Sequence, residues 1–255
     1  MLKSQTSCKK LVKTIQSSQL IGSGEYGKVY QYKNGKAIKM IDLGQRSLTK
    51  SGNMTSHLLF EIHVMKLLNN SKITPHFYDA FLCIDDPNIK YKDQLNFGLP
   101  LKDIVSRKAY IVTDQIKDSL TLSEWFHFHP FQFTKKMLFR LLHLIYQMNH
   151  KYQIFHCDLH TDNILVKGER FYIIDFGLSW QITEHIFPRL YDVFSLWFHL
   201  QDDIKIDKLD IFKSKDQLAT LDTYFHEFIQ NTDKLYKGLS LELLKTKYKF
   251  SKKSI

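Results

Sequence analysis

Cysteine is scarce: the 255 residues contain three, Cys8, Cys83 and Cys157. Three scattered cysteines can build neither a disulfide framework nor a cysteine-based zinc cluster, and a reducing intracellular compartment suits them best. Long apolar runs are missing too, and no uninterrupted one approaches membrane-spanning length. The first ten residues, M-L-K-S-Q-T-S-C-K-K, hold no apolar core of signal-peptide length. The expectation is an intracellular protein, cytoplasmic or nuclear, without a membrane span. Low hydrophobicity, the mark of a disordered chain, is also absent. A hydrophobic fraction of 44% and an aromatic fraction of 14% are ample for a packed core. The length allows one large domain or two modest lobes.

The formal net charge is +10. Lysines gather at both ends, at Lys3, Lys9, Lys10 and Lys13 and again at Lys245, Lys247, Lys249, Lys252 and Lys253. Such a balance favours acidic or nucleic-acid-associated partners. A solvated face accounts for it equally well, because no basic-aromatic nucleic-acid motif accompanies the lysines. The many lysines, isoleucines, phenylalanines and tyrosines suit an AT-rich genome, such as that of a large DNA virus. A monomer is expected.

Residues 155–166 read F-H-C-D-L-H-T-D-N-I-L-V. Asp158 precedes Asn163, and the strand-like run Ile164-Leu165-Val166 follows. A turn at Lys167-Gly168-Glu169 leads to a second apolar run, 171–174, which ends in Asp175-Phe176-Gly177. Asp158, Asn163 and Asp175 thus lie around a small hairpin. Hard divalent cations take oxygen ligands of this kind, and a carboxylate left over can orient and deprotonate a hydroxyl.

Earlier in the chain, residues 19–40 contain Gly22, Gly24 and Gly27 as G-x-G-x-x-G, then Val29. Glycines let a backbone approach phosphates closely. A dinucleotide-binding turn uses the same letters but needs a helix straight afterwards. Here β-formers follow, with Asn34-Gly35 as a two-residue hairpin signal. The next strand, Ala37-Ile38-Lys39, carries a lysine suited to contact phosphate. Residues 57–68 form an expected helix in which Glu61 sits between Phe60 and Ile62. A glutamate so placed is better explained by an inward ion pair than by solvation, and Lys39 is the assigned partner. Glu25 is expected to be exposed, and the polar residues 44–55 to form a loop. Residues 76–84 and 109–116 are further expected strands, separated by a polar excursion at 85–108. Residues 120–128 form an expected short helix capped by Thr121 or Ser123. A long amphipathic helix carries Phe133, Met137, Leu141, Leu144, Ile145 and Met148 on one stripe. Histidines at 127, 129, 143, 150, 156 and 160 lack paired cysteines or acidic residues at useful spacing, so a zinc site is not expected.

Together and in order, His156-Cys157-Asp158 through Asn163, then Asp175-Phe176-Gly177, resemble the catalytic loop and metal loop of the protein-kinase superfamily. The resemblance implies an α+β, two-lobed fold, with a small β-rich N-lobe over residues 1–116 and a trimmed helical C-lobe over residues 117–255. It implies ATP and Mg2+ as cofactors and a protein substrate. Asp158 would be the catalytic carboxylate, with Lys39, Asn163 and His160 as further catalytic residues, and Asn163 and Asp175 would hold the metal. Nucleotide contacts would come from Ile21, Gly22, Ser23, Gly24, Gly27, Val29, Ala37, Lys39, Glu61 and Leu165. Thr113 would be the gatekeeper, with the Asp114 carbonyl and the Ile116 amide reading the adenine edge. His156 would fix the loop by a hydrogen bond.

Several positions depart from the family pattern. Cys157 stands where many protein kinases carry arginine, which argues against control by activation-segment phosphorylation. His160 stands where serine/threonine kinases usually place lysine, and Asp-x-His is similar to haspin-like, aminoglycoside and choline kinases. It could contact the transferring phosphate. Tyr191 to Phe198 resembles the helix whose aspartate, here Asp192, anchors the catalytic loop. Only 17 positions separate Asp175 from Asp192 (192 − 175), too few for a full activation segment, and Pro188-Arg189 is no substitute for its usual end. One amphipathic helix with Leu218, Leu221, Phe225 and Phe228, and a shorter one at 239–248, complete the chain. The shortening is similar to haspin, the RIO kinases and the small kinase of the tRNA-threonylcarbamoyl complex. The leading expectation is an ATP-dependent atypical serine/threonine protein kinase. A small-molecule kinase and a pseudokinase scaffold are the alternatives.

Overall fold

The computed structural model describes residues 13–15, 17–24, 27–42, 54–84, 107–129, 133–181, 192–193, 195–197, 199–200, 223–225 and 227. Glu25, most of the loop 44–55, most of the excursion 85–108, the segment 182–191, Leu218, Leu221, Phe228, the helix at 239–248 and all the terminal lysines but Lys13 lie outside these residues. The chain packs as two compact units, one of residues 1–119 with 172–179, the other of residues 120–171 with 180–255.

The first unit is built on a five-stranded antiparallel sheet in the order β1-β2-β3-β5-β4. The strands are β1 (Leu20–Gly24), β2 (Gly27–Tyr32), β3 (Lys36–Asp42), β4 (Phe77–Ile84) and β5 (Arg107–Asp114), with helix α1 (Met54–Leu68) between β3 and β4. The helix starts three residues before the expected 57, and β5 stops at Asp114 rather than 116. Side chains alternate across a strand. One face of the sheet therefore buries Ile38, Phe81, Tyr110 and Val112 in a cluster with Ile15. Phe81 and Tyr110 stack there at 5.2 Å between ring centroids. Burying an aliphatic or aromatic side chain of this size stabilises by roughly 1.5–3 kcal/mol, so this cluster fixes the register of β3 against β5. The β2–β3 connection has three residues, not two, because Tyr32 pairs with Lys36. Asn34 (φ 59) and Gly35 (φ 70) both adopt the left-handed conformation, which these two residue types tolerate best.

The second unit carries β6 (Leu120–Thr121), α2 (Leu122–Phe128), α3 (Lys135–Lys151), β7 (Ile154–Phe155) and β8 (Ile164–Lys167). Strand β9 (Arg170–Ile173) begins in this unit and leads into the first, and β10 (Trp180–Gln181) pairs with β7. Thr121 is the N-cap of α2, and it forms a reciprocal capping box with Glu124. Thr134 caps α3 by accepting from the Met137 N–H. Helix α3 buries Met137, Leu138, Leu141, Leu142, Ile145, Met148 and Asn149. The stripe presses the helix onto the unit's core and sets the height at which β7 and the loop after it begin. No helix among the described residues is long and apolar enough to cross a membrane.

Candidate active site

In the first unit, the alternation that buries Ile38 turns Ala37 and Lys39 to the opposite face. Register pairs Val29 with Lys39 and Ala37 with Thr113, so these four share that face. Gly27 at the start of β2 has no room for a side chain, since a Cβ there would lie 2.5 Å from the Met40 carbonyl oxygen. At Gly24 the situation reverses, and a Cβ would meet nothing within 4 Å. One glycine is required by strand packing; the other leaves an open backbone suited to a phosphate. Ile21, also in this stretch, is exposed, and Val29 is half-buried.

Lys39 Nζ donates to Glu61 Oε1 at 2.8 Å and to Asp175 Oδ1 at 2.6 Å. Glu61 is 3% exposed, on the inward face of α1. Burial alone would pull the Lys39 pKa down, but the charges and hydrogen bonds of Glu61 and Asp175 outweigh it and hold the ammonium above the ordinary lysine value. The ion pair to Asp175 has no signal in the sequence, because it joins positions 136 apart. β9 ends at Ile173, leaving Ile174 outside the expected strand. Ile173 donates its N–H to the Ile73 carbonyl at 2.8 Å. The chain then turns through Asp175, which is left-handed (φ 62, ψ 69), into a 3-10 turn at Phe176–Leu178. For an aspartate this conformation is uncommon, and the ion pair with Lys39 accompanies it.

At the end of β5 the Asp114 N–H donates to the His76 carbonyl, and the Gln115 N–H to the Gly35 carbonyl. The Asp114 carboxylate accepts from the Tyr78 hydroxyl at 2.8 Å, and Lys36 Nζ lies 3.6 Å from the centre of the Tyr78 ring. Thr113 and Ile116 are half-buried. The chain after β5 is therefore tied to β4 and to the β2–β3 turn by backbone and side-chain bonds.

In the second unit, the loop after β7 is held by Asp192. Its Oδ2 accepts from the His156 N–H at 2.7 Å, and its Oδ1 from the Cys157 N–H at 3.0 Å. A third donor was not anticipated from the sequence. Asn149 Nδ2 reaches Asp192 Oδ2 at 2.7 Å and the Ile154 carbonyl at 2.8 Å. Its signal was available: Asn149 lies four positions after Ile145, on the buried stripe of α3, where a polar residue needs a partner. Burial pushes the Asp192 pKa up, and the charge of His156 and the three N–H donors oppose it. Cys157 is left-handed (φ 64). Its thiol is pushed up to about 12, chiefly by burial and then by the Asp192 carboxylate.

Asp158 is half-buried, and Leu159, fully buried, anchors the loop beside it. Leu165 on β8 is half-buried. Asn163 is 8% exposed and closes the 3-10 turn Thr161–Asn163. Its Nδ2 donates to the Asp158 carbonyl at 2.9 Å and contacts His160 Nε2 at 2.9 Å. Two acceptors for two amide hydrogens leave Oδ1 as the remaining polar atom of the side chain. That oxygen and the Asp175 carboxylate are donors of the kind a hard cation takes. Among the described residues, no group of three or more His, Cys, Asp or Glu side chains converges to hold a metal.

The protein kinase domain family matches residues 15–195 of the chain. The chain is 28% identical over 170 residues to a probable serine/threonine-protein kinase of Bacillus subtilis, across 65% of this chain and 57% of that one. It is 27% identical over 184 residues to a probable cell division protein kinase of Encephalitozoon cuniculi, across 70% of this chain and 58% of that one. The chain thus spans less than two thirds of the length of these curated relatives.

Proposed function

The chain belongs to the protein kinase family, and on that footing we propose that it is an ATP- and magnesium-dependent phosphotransferase, an atypical serine/threonine kinase that moves the γ-phosphate of ATP to a protein hydroxyl. The observation that carries the proposal is Lys39 held between Glu61 and Asp175. A fully charged lysine fixed by two carboxylates, on the sheet face it shares with Ala37, Val29 and Thr113, is poorly explained as a stability device. Buried ion pairs are weak stabilisers, whereas a positioned ammonium is what phosphate binding needs. The Bacillus subtilis relative, a probable serine/threonine-protein kinase, supports a serine or threonine acceptor, and the Encephalitozoon cuniculi relative, a probable cell division protein kinase, supports a protein acceptor.

Each residue has a role in this proposal. Two of the three Lys39 donors go to Glu61 and Asp175, and the third is left for a phosphate oxygen. The backbone at Gly22, Ser23 and Gly24 covers the phosphates, with Gly27 setting the strand beneath them. Ile21, Val29, Ala37 and Leu165 supply apolar contact to the base, Thr113 bounds its pocket, and the Asp114 carbonyl and Ile116 amide read its edge. Asn163 Oδ1 and Asp175 hold magnesium, which when bound neutralises charge building up on the transferring phosphate. Asp158 orients the acceptor hydroxyl and takes its proton on a carboxylate oxygen. Asp192 holds the loop that presents Asp158. Residues 1–116 and 117–255 act as the two lobes, the protein works as a monomer inside the cell, and acidic or nucleic-acid-associated proteins are its substrates.

The test is labelled-ATP transfer by the full chain to a panel of proteins and small alcohols, with Asp158→Asn alongside. Transfer to protein serine or threonine, lost in the variant while nucleotide binding persists, is the expected result. Transfer confined to small alcohols would favour the small-molecule reading, for which Asp158-Leu159-His160 speaks. No transfer to any acceptor would leave only a scaffold.

A further inference from the structure

From the geometry around Asn163 we propose that His160 is a positioning residue, acting as a hydrogen-bond acceptor that fixes the Asn163 amide, and not a cation directed at the transferring phosphate. The consequence for transfer rests on the phosphotransferase reading proposed above, whereas the hydrogen bond that fixes the amide does not. The Asn163 amide nitrogen has two hydrogens. One goes to the Asp158 carbonyl at 2.9 Å, an atom that can only accept. That contact fixes which end of the amide is nitrogen. The same nitrogen lies 2.9 Å from His160 Nε2, so its second hydrogen points at the ring, and Nε2 must accept. The ring hydrogen then sits on Nδ1, which faces Asp162 Oδ2 at 3.8 Å.

The other neighbours of the ring leave this assignment in place. Asp158 Oδ2 is 3.9 Å from Nε2, too far for a hydrogen bond. His199 approaches edge-on, with ring centroids 6.0 Å apart. The backbone adds to the clamp, because the Asn163 N–H donates to the His160 carbonyl at 3.0 Å. Asn163 is thereby gripped at main chain and side chain by the same residue. Its amide cannot rotate without breaking one of two bonds, and Oδ1 is held in a single direction. A lysine at 160 would supply donors only, and would leave the second Asn163 hydrogen without this acceptor.

Three variants of the full chain test this: His160→Gln, which keeps an acceptor, His160→Lys, which supplies a cation, and His160→Ala. Loss of a residue that orients a metal ligand costs about 10- to 100-fold in metal affinity or activity. The expected result is a loss of that size in kcat for His160→Ala and His160→Lys, with the KM for ATP little changed and most activity kept by His160→Gln. Calorimetry with a non-hydrolysable ATP analogue should show the magnesium midpoint shifting in the same order. Nitrogen-15 spectra of the wild type should show an unprotonated Nε2 and a protonated Nδ1 on His160. Full activity in His160→Lys with loss in His160→Gln would overturn the proposal, as would unchanged magnesium midpoints in all three variants or a protonated Nε2. The spectra and the calorimetry do not depend on transfer. A wild type without transfer activity therefore counts against the proposed function, while these two measurements still decide the role of His160.

Discussion

Asn149 and Asp192 are joined by a 2.7 Å hydrogen bond between side chains that are both buried, 43 positions apart in the chain. The amide also grips the Ile154 carbonyl at the start of β7. One residue on α3 thus ties the strand that enters the Asp158 loop to the carboxylate that holds the loop's backbone. Replacing Asn149 by leucine fills similar space but removes one of the two donors to Asp192 Oδ2 and the side-chain donor to the Ile154 carbonyl. Leaving buried partners unsatisfied costs about 1–3 kcal/mol, so Asn149→Leu should lose that much stability in urea titrations. Its kcat should fall more than its KM for ATP rises, because the displaced loop carries Asp158. Unchanged urea midpoint and kcat would show that Asp192 holds the loop unaided.

Lys39→Met should destabilise the nucleotide-free protein, although Lys39 is proposed as a binding residue. The change leaves the buried Glu61 carboxylate without its cation, and breaking a buried pair in this way costs roughly 3–5 kcal/mol. Partial exposure of Asp175, whose side chain is 28% accessible, softens its share. The double variant Lys39→Met, Glu61→Gln should regain part of the loss, since no uncompensated charge remains on α1. Melting temperatures of the four proteins in the double-mutant cycle measure the coupling, and strict additivity would mean the two residues do not interact.

Magnesium and ATP together should raise the melting temperature, and neither should do so as strongly alone. Asp175→Asn removes the carboxylate proposed to hold the metal and should abolish most of the magnesium-dependent part. At a ligand concentration 100 times the dissociation constant, the stabilisation amounts to about 2.7 kcal/mol. A melting temperature indifferent to millimolar ATP with magnesium would remove Asp175 and Lys39 from the nucleotide site.

Cys157 should be inert. A thiol pushed up to about 12 by burial and by the Asp192 charge carries roughly three-thousandfold less thiolate at neutral pH than a free cysteine of pKa about 8.5. The sign follows from the raised value: the neutral thiol is favoured by the fold, and its contribution to stability is present below pH 8.5 and is lost as pH rises toward 12. Site-resolved mass spectrometry after iodoacetamide treatment should find Cys157 unmodified at pH 7 in the folded protein and modified once urea unfolds it. Rapid labelling of the native protein at neutral pH would contradict the buried, anion-flanked setting.

Features that depend on neighbours in the chain were legible in the residues alone. The Thr121–Glu124 capping box lies within four residues, the α3 stripe within five turns, and the left-handed Asn34-Gly35 turn within one hairpin, so each is written in local residue chemistry. The alternation that puts Lys39 on the face opposite Ile38 follows from strand geometry alone. Strand and helix ends were less legible, as the extra turn residue at Lys33 and the early start of α1 show, because end points depend on pairing partners elsewhere. The long-range contacts were not legible there. Asp175 reaches Lys39 across 136 positions, Asn149 reaches Asp192, and Gly27 lacks a side chain because the Met40 carbonyl occupies its place. Each of these depends on which element packs against which. That arrangement is set by the burial of Ile38, Tyr110 and their neighbours in one unit and of the α3 stripe in the other. No spacing along the chain specifies it.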